Sequence, residues 1–131
     1  MVRTLHNLAR FESEGGYLTA AFADLYAIFK PGGIVGVVQH QARDEIPDEW
    51  ASGARGYLKD DFVIERLTAA GFEFAGMIDV NFNAKDQPGE DDVVWRLPPT
   101  LANSKDNAEL KATMLEIGES NRMTLKFRKP E

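Results

Sequence analysis

Apolar positions in residues 17–29 recur every three or four residues, at Leu18, Ala21, Phe22, Leu25 and Phe29. That spacing lays one apolar stripe along a helix, because a turn takes 3.6 residues. Pro31 cannot continue the helix, and Gly32 and Gly33 permit the chain to reverse. Ile34-Val35-Gly36-Val37-Val38 follows with no polar side chain, which predicts an interior strand with helices on either side. Residues 41–60 are turn-rich and read as a loop. Asp60 or Asp61 is expected to cap a second helix, with Val63, Ile64 and Leu67 on its apolar side and Ala70-Gly71 as its stop. Phe72, Phe74, Gly76, Ile78 and Val80 then alternate with other residues, the period-two pattern of a strand.

Residues 81–99 are polar, broken by Val93-Val94-Trp95 and Pro98-Pro99. Asp106 with Glu109 three positions later predicts the start of a third helix lined by Leu110, Met114 and Ile117. In the last strand Met123, Leu125 and Phe127 face one way, and Thr124, Lys126 and Arg128 the other. Glu14-Gly15-Gly16 marks a turn after the opening stretch VRTLHNLARF. The alternation of helix and strand argues for an α/β domain with parallel strands, and such a sheet needs further strands to be complete.

Length and charge narrow the function. A chain of 131 residues is one domain, able to bury about two-thirds of the surface its unfolded form exposes. It has no cysteine, which excludes disulfides, thiolate metal sites and a cysteine nucleophile. A net charge of -6 argues against a nucleic-acid surface, and the basic cluster Lys126 to Lys129 reads as a solvated strand end. No apolar run approaches the ~20 residues of a membrane span, and MVRTLHNLARFESEGG lacks the apolar core of a signal peptide. A soluble, cytoplasmic protein with no membrane or nucleic-acid partner is expected.

Three features together resemble a known family. They are a helix ending in Lys-Pro-Gly-Gly before an apolar strand, a later helix ending in Ala-Ala-Gly-Phe before another strand, and a final strand with a polar start. The pattern resembles the carboxyl half of class I S-adenosylmethionine-dependent methyltransferases. With "ARGYL" at 54–58 and "IGESNRMTLKF" at 117–127 it looks closer to a group of predicted bacterial methyltransferases. The resemblance covers nearly the whole chain. It implies a partial Rossmann-like fold with a mixed sheet and flanking helices. Residues 2–5 would be the family's fourth strand, 34–39 the fifth, 72–80 the sixth and 123–128 an antiparallel seventh between five and six.

Strands one to three, which form the N-terminal cofactor-binding half, would then be missing. Gly15-Gly16, Gly32-Gly33 and Gly53-x-x-Gly56 do not form the G-x-G-x-x-G turn that such a half would supply. The resemblance names S-adenosylmethionine as cofactor, and the chain alone is not expected to hold it. A truncated gene product or one part of a split enzyme is expected. The exposed edge at Val2 to Leu5 predicts either a homodimer or pairing with the missing N-terminal half.

In open α/β sheets, ligands bind beyond the carboxyl ends of the parallel strands. That rule selects His6 and Asn7, then His40 and Gln41, then Asn81 and Asn83, with Glu119, Ser120, Asn121 and Arg122 arriving at the start of an antiparallel strand. His6, Asn7 and His40 are the catalytic candidates, because imidazole exchanges protons near neutral pH. Each histidine has a competing reading as a strand-end cap or a satisfied core residue. Arg55, Tyr57, Asn81, Glu119, Asn121 and Arg122 are candidates for binding a small-molecule substrate. Glu119 and Arg122 can instead pair with each other, and Arg55-Tyr57 can instead anchor a loop. Trp50 and Trp95 either cover a crevice or fill core. Two histidines with scattered carboxylates form no recognised metal spacing.

The expected function is the substrate side of a methyltransferase. The competing expectation is a non-enzymatic oligomerisation or binding module on the same scaffold. A hydrolase lacks support, because no G-x-S-x-G elbow is present.

Overall fold

The computed structural model describes all residues from Met1 to Glu131. It opens on helix where a strand was expected: α1 spans Leu5–Arg10, α2 Glu12–Gly15 and α3 Tyr17–Ile28. Leu5, Leu8 and Ala9 fall three and four residues apart, and Leu5 is buried against the main core, so the helical period prevails from Leu5 onward. Only residues 1–3 are extended. They run parallel to the first strand through a Val2–Val38 bridge, with Val38 N donating to Met1 O at 2.9 Å and Arg3 N to Val38 O at 2.7 Å.

Gly16, at φ 65°, separates α2 from α3 in a conformation that costs glycine little. Glu12 caps α3 from outside, its Oε2 accepting from Leu18 N at 2.7 Å and Thr19 N at 3.2 Å. Arg66 Nη2 holds the same carboxylate at 2.5 Å, and these donors keep the Glu12 pKa low, at about 2, with Thr19 the largest contributor.

The sheet contains β1 (Ile34–His40), β2 (Glu73–Ile78) and β3 (Arg122–Arg128) in the order β1-β3-β2, with β3 antiparallel to both neighbours. Register pairs Val35 with Phe127, Val37 with Leu125 and Gln39 with Met123. These residues form the covered face. Leu5 of α1, Leu18 and Phe22 of α3, and Val63 and Leu67 of α4 (Asp60–Ala69) pack onto it as one core.

The opposite face carries no helix, which corrects the expectation that residues 34–38 are interior on both sides. Ile34 is 49% exposed and Gly36 is open to solvent. β2 is exposed along almost its whole length, with Phe74, Met77 and Ile78 among its apolar residues.

Two expected caps shift by one residue. Lys59 precedes α4, leaving Asp60 and Asp61 in its first turn, where their charge suits the helix dipole. Asn107 caps α5 (Ala108–Ile117), its side chain accepting from Leu110 N at 3.0 Å, and no residue of α5 is buried.

A second, smaller core forms beyond the carboxyl end of β1. Ala42, Ala51, Tyr57 and Val94 meet there, with Trp50 and Trp95 packed against them. Beside it, the buried Asp86 carboxylate accepts from the Tyr57 hydroxyl at 3.0 Å, Arg96 Nη2 at 2.8 Å and Asn121 N at 2.9 Å. This network ties the 41–58 loop and the 83–97 segment to the start of β3. No helix is long and apolar enough to cross a membrane.

Candidate active site

One polar cavity of about 260 Å³ opens where α1, the end of β1, the start of β3 and residues 94–100 meet. Its position follows from the sheet. β1 ends and antiparallel β3 begins at the same edge, so His40 and Arg122 are register partners there.

Gln39 sets the chemistry of the floor. It is the last inward-facing residue of β1 and is fully buried. Its amide Nε2 donates to Gly56 O at 2.9 Å and His40 O at 3.3 Å, which fixes the amide orientation and turns Oε1 toward α1. Oε1 accepts from His6 N at 3.3 Å and lies 3.3 Å from His6 Nδ1. A carbonyl oxygen only accepts, so Nδ1 carries the proton and Nε2 is left as the ring's acceptor. No protein donor meets His6 Nε2.

The two histidine rings lie 5.6 Å apart and tilted by 49°, with Trp95 edge-on to His6 at 5.8 Å. His40 Nδ1 contacts Ser120 Oγ at 2.5 Å. Burial lowers the pKa of His6, the Gln39 bond opposes that shift, and Arg10 adds to it. Burial lowers His40 further, to about 3, reinforced by His6, Arg122 and Arg3. His40 is therefore neutral at neutral pH and serves as a hydrogen-bonding group. A base so weak takes up a proton poorly there, which leaves His6 Nε2 as the better proton acceptor.

Arg122 Nη2 pairs with Glu119 Oε2 at 2.5 Å. Arg122 Nε is shut off from solvent and meets no acceptor. Arg3 also lines the cavity, from a backbone held at φ 49° by the Val38 hydrogen bond.

The structure thus brings His6, Asn7, His40, Glu119 and Arg122 together, with Ser120 and Trp95 beside them. It places the other four candidates elsewhere, which corrects their grouping. Tyr57 is fully buried with its hydroxyl committed to Asp86 and Arg96; burial and the Asp86 charge raise its pKa. Arg55 lies over the Trp50 ring at 5.6 Å in a separate cleft with Glu90. Asn81 donates to Thr124 Oγ1 at 2.8 Å, and buried Asn121 accepts from Asn83 N at 2.9 Å. Tyr57, Asn81 and Asn121 have side-chain polar atoms engaged in tying segments together.

Gln39, Arg3 and Thr100 are the site residues that sequence reasoning missed. Gln39 had a signal, because it continues the inward series Val35, Val37 along β1. Arg3 and Thr100 had none.

No group of three or more His, Cys, Asp or Glu is placed to hold a metal ion. The glycines do not supply a cofactor cradle either. A Cβ on Gly53 would meet His6 O at 2.5 Å, and one on Gly56 would meet Val94 Cγ1 at 2.2 Å. Both glycines make room for the chain itself. Gly32, which bonds to Lys129 O, lies at the far end of β1. These residues alone do not fit S-adenosylmethionine.

No family model matches the chain, and no curated protein matches it. Among solved structures, it is similar to the crystal structure of the [4+2]-cyclase SpnF, at 22% identity and a TM-score of 0.51. The match covers 86% of this chain and 44% of that one, so the chain spans less than half the length of that protein. At this identity the likeness concerns the fold: a small α/β arrangement of sheet and flanking helices is shared.

Proposed function

We propose that this chain is the substrate side of a class I S-adenosylmethionine-dependent methyltransferase fold, with the cofactor held by a segment or chain outside it. The observation that carries the reading is the convergence of His6, Asn7, His40, Ser120 and Arg122 on one cavity at a single sheet edge. The sequence pattern of helix, Lys-Pro-Gly-Gly and strand supports it, as does the fold shared with SpnF. In this reading His6 Nε2 accepts the proton of the substrate's nucleophile, Asn7 and Ser120 orient it, and Trp95 limits water. Transfer of an activated group asks mainly for alignment, which a preorganised polar cavity provides.

Calorimetric titration with S-adenosylmethionine tests the division of labour. The expected result is no micromolar binding by this chain alone, and binding when it is co-expressed with the coding sequence immediately upstream. Micromolar binding by the chain alone overturns the division. Binding in neither case overturns the methyltransferase reading.

A second reading, an oligomerisation module, is favoured by the exposed apolar residues in and after β2, Phe74, Met77, Ile78, Val80 and Phe82, each at least 43% exposed. In that reading a second copy covers β2 in a homodimer. Sedimentation at micromolar concentration decides it, and a folded species at 14.6 kDa without heavier forms would defeat it.

A further inference from the structure

We infer that the ligand taken by this cavity is a small carboxylate, held by Arg122 and Arg3, with Glu119 occupying Arg122 until that ligand arrives. The inference rests on the cavity being the substrate side of the site and names the class of its substrate.

The charge lining the cavity favours an anion. Arg3 and Arg122 contribute two cations, both histidines are neutral, and Glu119 is the one acidic residue in the wall. Burial is the main cause of the low His40 pKa, and the charges of Arg122 and Arg3 add to it from the same cavity.

The site is also already fitted to a carboxylate, because the Glu119 carboxylate sits on the Arg122 guanidinium. That occupant is loosely kept. The Glu119 side chain is 54% exposed, whereas the Arg122 side chain is 16% exposed. An ion pair with one solvent-facing partner is weak and open to exchange. The unpartnered Arg122 Nε agrees, since it shows that Glu119 satisfies only part of the guanidinium fork. At about 260 Å³ the cavity falls just below the range of drug-sized sites, so it suits an acid of few heavy atoms.

The test is an NMR titration of the labelled chain at constant ionic strength with acetate, neutral acetamide and inorganic phosphate. Acetate is expected to shift the Arg122 and Arg3 side-chain Nε–H signals and the Ser120 amide saturably in the millimolar range. Acetamide should leave them in place. Glu119→Gln is expected to tighten acetate at least threefold, because the resident competitor loses its charge. Arg122→Gln is expected to weaken it at least tenfold. If Arg122→Gln does not fold, Arg3→Gln, at an exposed residue, carries the same test with an expected loss of at least threefold.

Equal shifts with acetamide overturn the inference, as does phosphate binding more tightly than acetate or unchanged affinity in Glu119→Gln. None of these measurements involves S-adenosylmethionine. Acetate binding without cofactor binding by the co-expressed product would therefore sink the methyltransferase reading and leave the carboxylate site standing.

Discussion

Lowering the pH from 7.5 to 5.5 should destabilise the fold through His40, and substitution at that residue should remove the effect. Its folded pKa is about 3, against 6.5 for the free side chain. Between those values the unfolded chain binds a proton that the folded chain does not, so stability rises with pH across the window. The sign follows from the depressed value: nothing is lost above about 6.5, and the loss grows steadily as pH falls toward 3.

At about 1.36 kcal/mol per pH unit, the loss between pH 7.5 and 5.5 is ~1.4 kcal/mol. With a urea dependence of ~1–2 kcal/mol per M for a domain of this size, the midpoint should move by about 1 M. The range stays above the sequence pI of 4.9 and above the pH at which exposed carboxylates titrate. His6, Arg3, Arg122 and Glu119 share the cavity with His40, Tyr57 packs on it at 6.3 Å, and the other histidine of the cavity is His6. Its own lowered pKa adds a loss of the same sign. The informative quantity is therefore the difference between the native chain and His40→Asn, whose amide can still meet Ser120. Equal midpoint shifts in the two proteins would refute the reasoning. So would a His40 ring signal that titrates near pH 6.5 in the folded state.

Three further substitutions probe the supports of the cavity. Gln39→Leu leaves the Gly56 carbonyl and both His6 donors unpaired, while the His40 carbonyl keeps Leu58 N at 3.0 Å, and should cost ~2–4 kcal/mol in urea unfolding while changing the nitrogen shifts of the His6 ring. A neutral result would show that water replaces the amide. Asp86→Ala leaves the Arg96 guanidinium buried beside Tyr57 with only the longer 3.7 Å contact to the half-exposed Asp92, and should cost ~3–5 kcal/mol. A loss below ~1 kcal/mol would show the network to be solvated. Gly53→Ala puts a methyl 2.5 Å from the His6 carbonyl at φ 97°, and should shift the His6 and Gln39 amide signals as well as lower the melting temperature. Unchanged His6 signals would argue that the loop moves freely away from α1.

The sequence reports layers only one at a time. The helical stripe Leu18-Phe22-Leu25 and the alternating strand Met123-Leu125-Phe127 are both found in the core as expected, because their periods differ and each faces one apolar partner. The β1 run was harder. A strand with no polar residue at 34–38 reads the same whether helices cover one face or both, and here Ile34 and Gly36 face solvent. The opening residues were legible in part: Val2 pairs in parallel with Val38 as expected, whereas Leu5 begins a helix. Val2 to Leu5 is too short to display a period, and Leu5 takes its conformation from Leu8 and Ala9 downstream.

Site residues were legible where the backbone alone brings them together. His40 and Arg122 meet because one strand ends where its antiparallel neighbour begins, and that follows from element order. Tyr57 and Asn121 were misplaced because they answer to Asp86 and Arg96, in a turn-rich segment whose polar pairings leave no periodic trace. A tyrosine hydroxyl and a backbone amide that look free for a substrate are consumed by one buried carboxylate. Gln39 makes the converse case. It occupies a core position in the alternation of β1, where a polar side chain costs stability unless every hydrogen-bonding group is met. Its partners are two carbonyls on one side and His6 on the other, so satisfying a core amide also fixes which nitrogen of the cavity histidine bears the proton. The polar residue in the strand and the acceptor in the cavity are thus two ends of one constraint. A polar residue that interrupts an inward apolar series therefore deserves the same scrutiny as a histidine at a strand end.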